Sequence, residues 1–522
     1  MYKMHLTCLF HTLSHLTIRQ LFYQVFYRVH KPKYVPLKIS YIPSLKSVRF
    51  IEKYICLDSK ANKFEFINLS SHFTSWNETS QGMLWAYNLN YMDWLCQTDI
   101  SYEDGKYWID KFITELPQNK IGLDPYPIAL RSINWIKFIC KYSSQITDDT
   151  KKKWNDSLYS QVRFLEKKIE YHLLGNHLLE DLYALFISSV YFKNEKLFNK
   201  VSRMLIRELN EEILLDGMHY EQSPMYHCIL LDRLLDCVNI SSNNKIFKTQ
   251  DEITSFLQRK VELMLGHLES ILYTDESYPL FNDSAKGIAP IPSEIFDYAR
   301  RLNFKWKPLQ LKESGFRKVK TTQLEGFLDV GNITATYQPG HTHADTFTYE
   351  LRVDGKPLVV DTGISTYNKT SRRQYERSTA AHNTVTVDAK DSSQVWGGFR
   401  VGKRAHVRVL EETSNLVKAI HDGFGKTKLH IRTFLWSDKM FTVKDEISAA
   451  STAISYIHLT PGLKILSKGG DEFVTERGKI KVFGASHIDI EENQISDRYN
   501  SLSTSLVIKI YFSESVTYTI TK

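Results

Sequence analysis

The stretch "FTYELRVDGKPLVVDTG", residues 347–363, reads as a strand, an Asp-Gly turn and a second strand. The first arm alternates apolar and polar residues with period two, and Asp-Gly tolerates the left-handed backbone that a two-residue hairpin turn demands. A hairpin of this kind belongs to an antiparallel sheet. Downstream, "HNTVTVD", "AHVRVLEE", "LHIRTFLW", "MFTVKDEI" and "SLVIKIYF" keep the same period, with no helical pattern between them. Residues 316–522 are therefore expected to form an antiparallel β-sandwich.

Upstream the period changes. "DSLYSQVRFLEKKIEYHLLGNH" (156–177) carries Leu158, Val162, Leu165, Ile169 and Leu173 on one helical stripe, and Gly175 suits a C-terminal stop. "LLEDLYALFISSVYF" (178–192), "KLFNKVSRMLIRELNEEIL" (196–214) and "SFLQRKVELMLGHLESIL" (255–272) follow as further helices. Helices of similar length on short loops predict hairpins arranged in a ring or solenoid over 51–315. The chain of 522 residues thus reads as a multidomain α+β protein, with residues 1–50 as a separate arm.

That arm holds Lys3, Arg19, Arg28, Lys31, Lys33, Lys38, Lys46 and Arg49 and no acid, which accounts for the whole net charge of +8. The remainder is neutral, so nucleic-acid binding gains no support. "RQLFYQVFYRVHKPK" (19–33) mixes bases with aromatics and suits either an anionic membrane surface or an arm packed on its own protein. "MHLTCLFHTLSHL" (4–16) has polar residues inside its apolar run and no small-residue cleavage site, so no signal peptide is read and the cytoplasm is the expected compartment. No apolar run is long enough to span a membrane. The six cysteines form no C-x-x-C pair and read as free thiols.

Four stretches hold polar residues that a scaffold does not need. In "GNHLLED", Asn176 and His177 precede Glu180, which at i, i+3 from His177 can orient the imidazole; a capped helix start has the same pattern. In "DGMHYEQSPMYH" (216–227), Tyr226 follows Pro224, and a tyrosine whose pKa is lowered by nearby cations can move protons. In "QPGHTHADTF" (338–347), His341, His343 and Asp345 alternate on an expected strand and share a face. His343, with Asp361 and His382 further on, is zinc-like in ligand type. "YNKTSRRQYERSTAAHN" (367–383) crowds Tyr367 and Tyr375 with Arg372, Arg373 and Arg377, which suits a carboxylated substrate or a solvated loop.

Taken together, "GNHLLE", "DGMHYEQSPMYH", "LFNDSAKGIAP", "PGHTHADTFTYEL" and "VVDTGISTYNKTSRRQYERSTAAHNTVTVD" resemble the heparinase II/III family of polysaccharide lyases, in order and spacing, over most of the chain from about residue 80. The resemblance implies an incomplete (α/α) toroid followed by an antiparallel β-sandwich, with the cleft between them. It implies that Asn176 and His177 neutralise the carboxylate of a uronate in an anionic polysaccharide. Tyr226 would be the catalytic tyrosine, and His341 the β-domain histidine that acts as base or its partner. His343, Asp361 and His382 match positions that hold zinc in some members, and Tyr367 or Tyr375 a second active-site tyrosine. Family function also implies a periplasmic location. For His341 to face the cleft while His343 holds a metal, a twist or bulge must divide the two aims.

Other classes are weighed against this. A non-haem iron oxygenase would use His343, Asp345 and His382, but leaves the helical motifs without a role. A non-catalytic glycan-binding or surface-polysaccharide assembly protein would not need Tyr226, Asn176 and His341 together. No paired carboxylates mark a glycosidase.

Overall fold

A computed structural model describes residues 6–522, so Lys3 and the first residues of the 4–16 run lie outside the described part. The helices are α1 (Leu6–Ser14), α2 (Ile18–Val29), α3 (Met83–Tyr91), α4 (Tyr102–Glu115), α5 (Pro125–Lys141), α6 (Asp148–Leu165), α7 (Gly175–Tyr191), α8 (Glu195–Glu212), α9 (Pro224–Asn243), α10 (Gln250–Ser270), α11 (Pro292–Arg301) and the short α12 (Ser371–Glu376). Helices α3 to α11 build the incomplete toroid. Its central element is α7, of whose 17 residues only His177 is not buried. A helix buried all round must be surrounded, and α5, α8 and α9 pack on it. A small antiparallel sheet at Leu57–Asp58, Lys63–Phe66 and Leu69–His72 precedes the helices, an element the periodicity does not reveal.

The Asp-Gly hairpin forms as expected. Tyr349–Val353 pairs with Lys356–Val359, and Asp354 (φ 49°) and Gly355 (φ 74°) take the two left-handed positions of the turn. These strands complete a four-stranded sheet with Phe316–Lys320 and Leu324–Asp329. A second sheet of four (His487–Arg498, Ser501–Phe512, Ala453–His458, Val385–Val387) lies with it against an eight-stranded antiparallel sheet, and the three share one apolar core. The eight-stranded sheet alternates cleanly: along Met440–Ile447 every second residue is buried.

Leu324–Asp329 breaks the alternation, since all six residues are buried. The reason is its position between the two domains. Leu324 and Leu328 point into the sandwich core, while Phe327 packs on Tyr273 in the helical core. On the next strand Glu350 accepts from the Tyr273 hydroxyl at 2.9 Å and from the Leu280 backbone N–H at 2.9 Å. Sheet and toroid are thus locked by burial plus satisfied polar groups, which fixes the cleft between them.

Two expectations fail here. The helix expected across 156–173 ends at Leu165, and Gly175 opens α7 instead of closing its predecessor. Its φ of +59° serves a helix start as well as a stop, and a Cβ there would lie 2.5 Å from a Glu221 carboxylate oxygen. Second, "HTHADT" is not a strand. Residues 341–348 form an irregular loop into Tyr349, pinned by the Asp283 N–H on the His341 carbonyl, the Ala344 N–H on the Arg377 carbonyl, and the Thr348 N–H on the Asp345 carbonyl. Period two does not apply to it, so no bulge is needed to separate His341 from His343.

Candidate active site

Three segments deliver the site. The first turn of α7 brings Asn176 and His177. The start of α9 brings Tyr226, where the Ser223 hydroxyl accepts from the Tyr226 N–H at 3.2 Å and donates to the Asp283 carbonyl at 2.6 Å. The loop before Tyr349 brings His341. Although 115 positions apart, Tyr226 and His341 stack with ring centroids 3.8 Å apart and planes 17° from parallel.

Glu221 joins the segments. One carboxylate oxygen accepts from the Asn176 backbone N–H at 3.0 Å, and the other makes a short hydrogen bond with His341 Nδ1. The imidazole is thereby oriented, and no protein group among the described residues engages its Nε2. Burial alone would raise the Glu221 pKa, but His341 beside it holds it down, so the carboxylate stays ionised. Asn176 is 2% exposed, and its side-chain oxygen has no hydrogen-bond partner.

The Tyr226 hydroxyl lies 3.2 Å from that of Tyr367. Its pKa is raised by burial, not lowered: Arg373 and the Tyr367 hydrogen bond oppose the shift without reversing it. This corrects the expectation of a cation-lowered phenol. Tyr226 is a protonated group, poised to give a proton and able to take one only after losing its own. Tyr226 and Tyr367 line a cavity of about 300 Å³ together with Tyr126, Tyr499 and Arg233, and His341 adjoins it through its stack on Tyr226.

Several expected contacts differ. His177 turns from Glu180 to Glu170, whose carboxylate is 3.0 Å from Nδ1, and packs on the Tyr126 ring. Partial desolvation lowers the His177 pKa, yet Glu170 outweighs it and the net shift is upward. Glu180 does not orient the imidazole. It is buried toward α9, 3.8 Å from Arg233, with its pKa pushed up to about 7 by burial. Arg377 does not face a substrate either: fully buried, it donates to the Thr342 carbonyl at 2.7 Å and braces the histidine loop. Tyr375 donates to Asn493 at 3.0 Å, away from Tyr226, so Tyr367 is the second tyrosine at the site.

Asp283 is a residue the sequence reading missed. It accepts from His343 Nε2 at 2.8 Å and from Arg373 at 2.7 Å, and the Arg373 guanidinium lies 4.9 Å from the Tyr367 ring centroid. His343 thus points away from Tyr226 and supports the tyrosine pair from behind. Burial pushes its pKa down to about 3, so it is a neutral imidazole.

The expected zinc ligands do not close on one point. Among the described residues no three His, Cys, Asp or Glu side chains form a ligand set. His343 pairs with Asp283, and His382 Nδ1 with Asp361 at 2.8 Å. The other Asp361 oxygen accepts from the Gly363 N–H at 2.9 Å, so this carboxylate orients His382. The iron-oxygenase set of His343, Asp345 and His382 meets the same arrangement. His343 Nδ1, His382 Nε2 and Asp345 Oδ2 nevertheless remain buried without partners, and the two rings are 5.2 Å apart.

The chain matches the heparinase II/III N-terminus over residues 128–301 and the heparinase II/III-like C-terminal region over 305–517. The chain belongs to the heparinase II/III family. A heparin-sulfate lyase of Bacteroides stercoris is 21% identical over 395 residues, 67% of this chain and 57% of the relative. One of Pedobacter heparinus is 26% identical over 268 residues, 45% of this chain and 38% of the relative. The chain therefore spans little more than half the length of the first of these relatives. Among solved structures, a mutant of the heparan sulfate lyase HepC from Pedobacter heparinus superposes with a TM-score of 0.62 at 16% identity, covering 96% of this chain and 87% of that one. The likeness is one of fold, an (α/α) toroid followed by a β-sandwich.

Proposed function

We propose that the protein is a polysaccharide lyase that cleaves beside a uronate by β-elimination. The observation that carries this is the Tyr226–His341 stack, with Glu221 behind the imidazole and Asn176 held by the same carboxylate. In the reaction the proton on the carbon next to the uronate carboxylate is removed. A carbon–carbon double bond forms, the bond to the glycosidic oxygen breaks, and that oxygen takes a proton. Negative charge grows on the carboxylate as the first proton leaves, so donors must meet it there. Asn176 and protonated His177 supply them. His341, its Nδ1 fixed by Glu221, takes the proton at Nε2 or orients the group that does. Tyr226 gives its phenolic proton to the departing oxygen.

Lys53, Lys137 and Arg233 on the cavity wall each stand beside an acid: Asp93 at 3.0 Å, Asp236 at 2.5 Å and Asp232 at 3.0 Å. This supports a substrate recognised through its uronate carboxylate and not through added sulfates. The test is absorbance of the unsaturated uronate during incubation with unsulfated and sulfated uronate glycans. Product from at least one unsulfated glycan is expected; none from any uronate polymer rejects the lyase reading.

The alkaline limb of kcat/KM should report His177. Its raised pKa means the proton is present below the ordinary histidine range and is lost as pH rises through the higher value. Glu170→Gln removes the group that raises it, so the limb should move to lower pH. An unmoved limb assigns that ionisation to another group.

We further propose one zinc ion between His343 and His382 with Asp345, a set that the three side chains would complete only by closing on the metal, Asp361 serving to orient His382. Support comes from the three unpartnered buried atoms, and from the carboxylate behind each ring, which fixes a metal-binding tautomer. Zinc there would stabilise the fold and take no part in proton transfer. Purified protein should carry about one zinc per chain and melt lower after chelation. A zinc-free protein whose melt ignores chelator rejects it.

A further inference from the structure

We propose that the outer face of α1 and α2 docks the protein on an anionic lipid surface. An ordinary surface helix turns its apolar stripe inward. In α2 the stripe is turned outward. Ile18, Phe22, Val25 and Val29 lie at i, i+4, i+7 and i+11, which is one helical face, and they are 86%, 58%, 62% and 83% exposed. On α1, Phe10 and Leu13 are exposed as well.

The opposite face of α2 is polar and aromatic, and it is the face that holds the protein. The Gln20 amide donates to the Leu173 and Tyr337 carbonyls, both at 3.2 Å. Tyr27 donates to the Ile169 carbonyl at 2.6 Å, Arg19 pairs with Glu208 at 3.0 Å, and the Tyr23 ring packs on Tyr171 at 4.5 Å. A capping box between Thr17 and Gln20 closes the helix start. The helix is therefore preformed and fastened with its apolar side to solvent, so little order remains to be imposed on binding.

Charge selects the occupant. Next to the stripe stand Arg28, Lys31 and Lys33, with Lys38 further on, and none pairs with a carboxylate among the described residues. Residues 1–50 contain no acid at all. A helix with an apolar face flanked by bases lies in the interface of an anionic bilayer, its apolar side among the acyl chains and its bases at the headgroups. A second copy seated symmetrically on this face would set the same bases against one another. Among the described residues no helix is long and apolar enough to cross a membrane, so the contact is peripheral.

Flotation of the full chain with phosphatidylcholine vesicles, with and without phosphatidylglycerol, tests this. The protein should float with the mixed vesicles only, and less as salt is raised. F22E/V25E should keep the parent melting temperature, since both side chains are exposed, and lower the bound fraction about tenfold or more. No flotation of the parent at low salt overturns the proposal, as does undiminished flotation of the folded variant. A parent that sediments as a dimer, is split by F22E/V25E and ignores both vesicle types would assign the face to a second copy instead.

Discussion

Tyr226→Phe is expected to abolish nearly all turnover while leaving the fold intact. The substitution removes one oxygen from a ring that otherwise keeps its stack on His341. The lost hydroxyl has one protein partner, Tyr367, itself a hydroxyl that can turn to water in the cavity. Stability should therefore change little. The lost proton donor should lower kcat by about 10²–10⁴-fold, the usual range for a general acid. Because the phenol is raised above its ordinary pKa by burial, the parent remains competent as an acid across neutral pH. Initial rates of unsaturated-uronate formation and a thermal melt check both halves. A rate within threefold of the parent would exclude Tyr226 as the acid. His341→Ala serves as the companion, since it strips the partner that Glu221 orients.

Much of the architecture was legible because it rests on local patterns. Asp354-Gly355 announces its turn through the two left-handed positions that it occupies, and α7 is foreshadowed by the helical pattern of "LLEDLYALFISSVY". What stayed hidden depends on partners remote in the chain. Glu221 meets a histidine 120 positions away, and Asp283 meets one 60 positions away. A single acid in a loop carries no period, so nothing local sets either apart from a solvated carboxylate. The "HTHAD" alternation misleads for a related reason. A strand and an extended loop look alike in sequence, and this loop is held in shape by Arg377 on the Thr342 carbonyl and by Asp283 on that of His341. Helical spacing pairs Glu180 with His177, but a first-turn side chain is free to reach back to the preceding segment, where it meets Glu170.

Asp445→Ala should cost about 3–5 kcal/mol of stability, the range for removing one partner of a buried ion pair. Asp445 and Arg432 are fully buried in the sandwich, joined by two hydrogen bonds of 2.6 and 2.8 Å. His430 adds a third contact to the carboxylate at 2.8 Å. Arg432 holds its ionised neighbour's pKa far below the usual carboxylate range, so the pair is charged at any working pH. Its remaining guanidinium nitrogen donates to the carbonyls of Phe347 at 2.8 Å and Asn383 at 2.6 Å. Phe347 ends the loop that carries His341, and its φ of 71° is a strained conformation for an aromatic residue. The arginine thus clamps that strained end of the loop to the sandwich core. Without Asp445 it becomes a buried charge with no counterion, and the loop loses its fixed footing. Denaturant melts should register the loss in the sandwich, and the rate of glycan cleavage should fall with it although Asp445 touches no substrate. The double variant Arg432→Met/Asp445→Leu removes both charges and should recover much of the stability but not the hydrogen bonds to Phe347. A single variant as stable as the parent would mean that the pair contributes nothing net and that the loop is held by its other contacts, Arg377 and the Asp283 N–H among them.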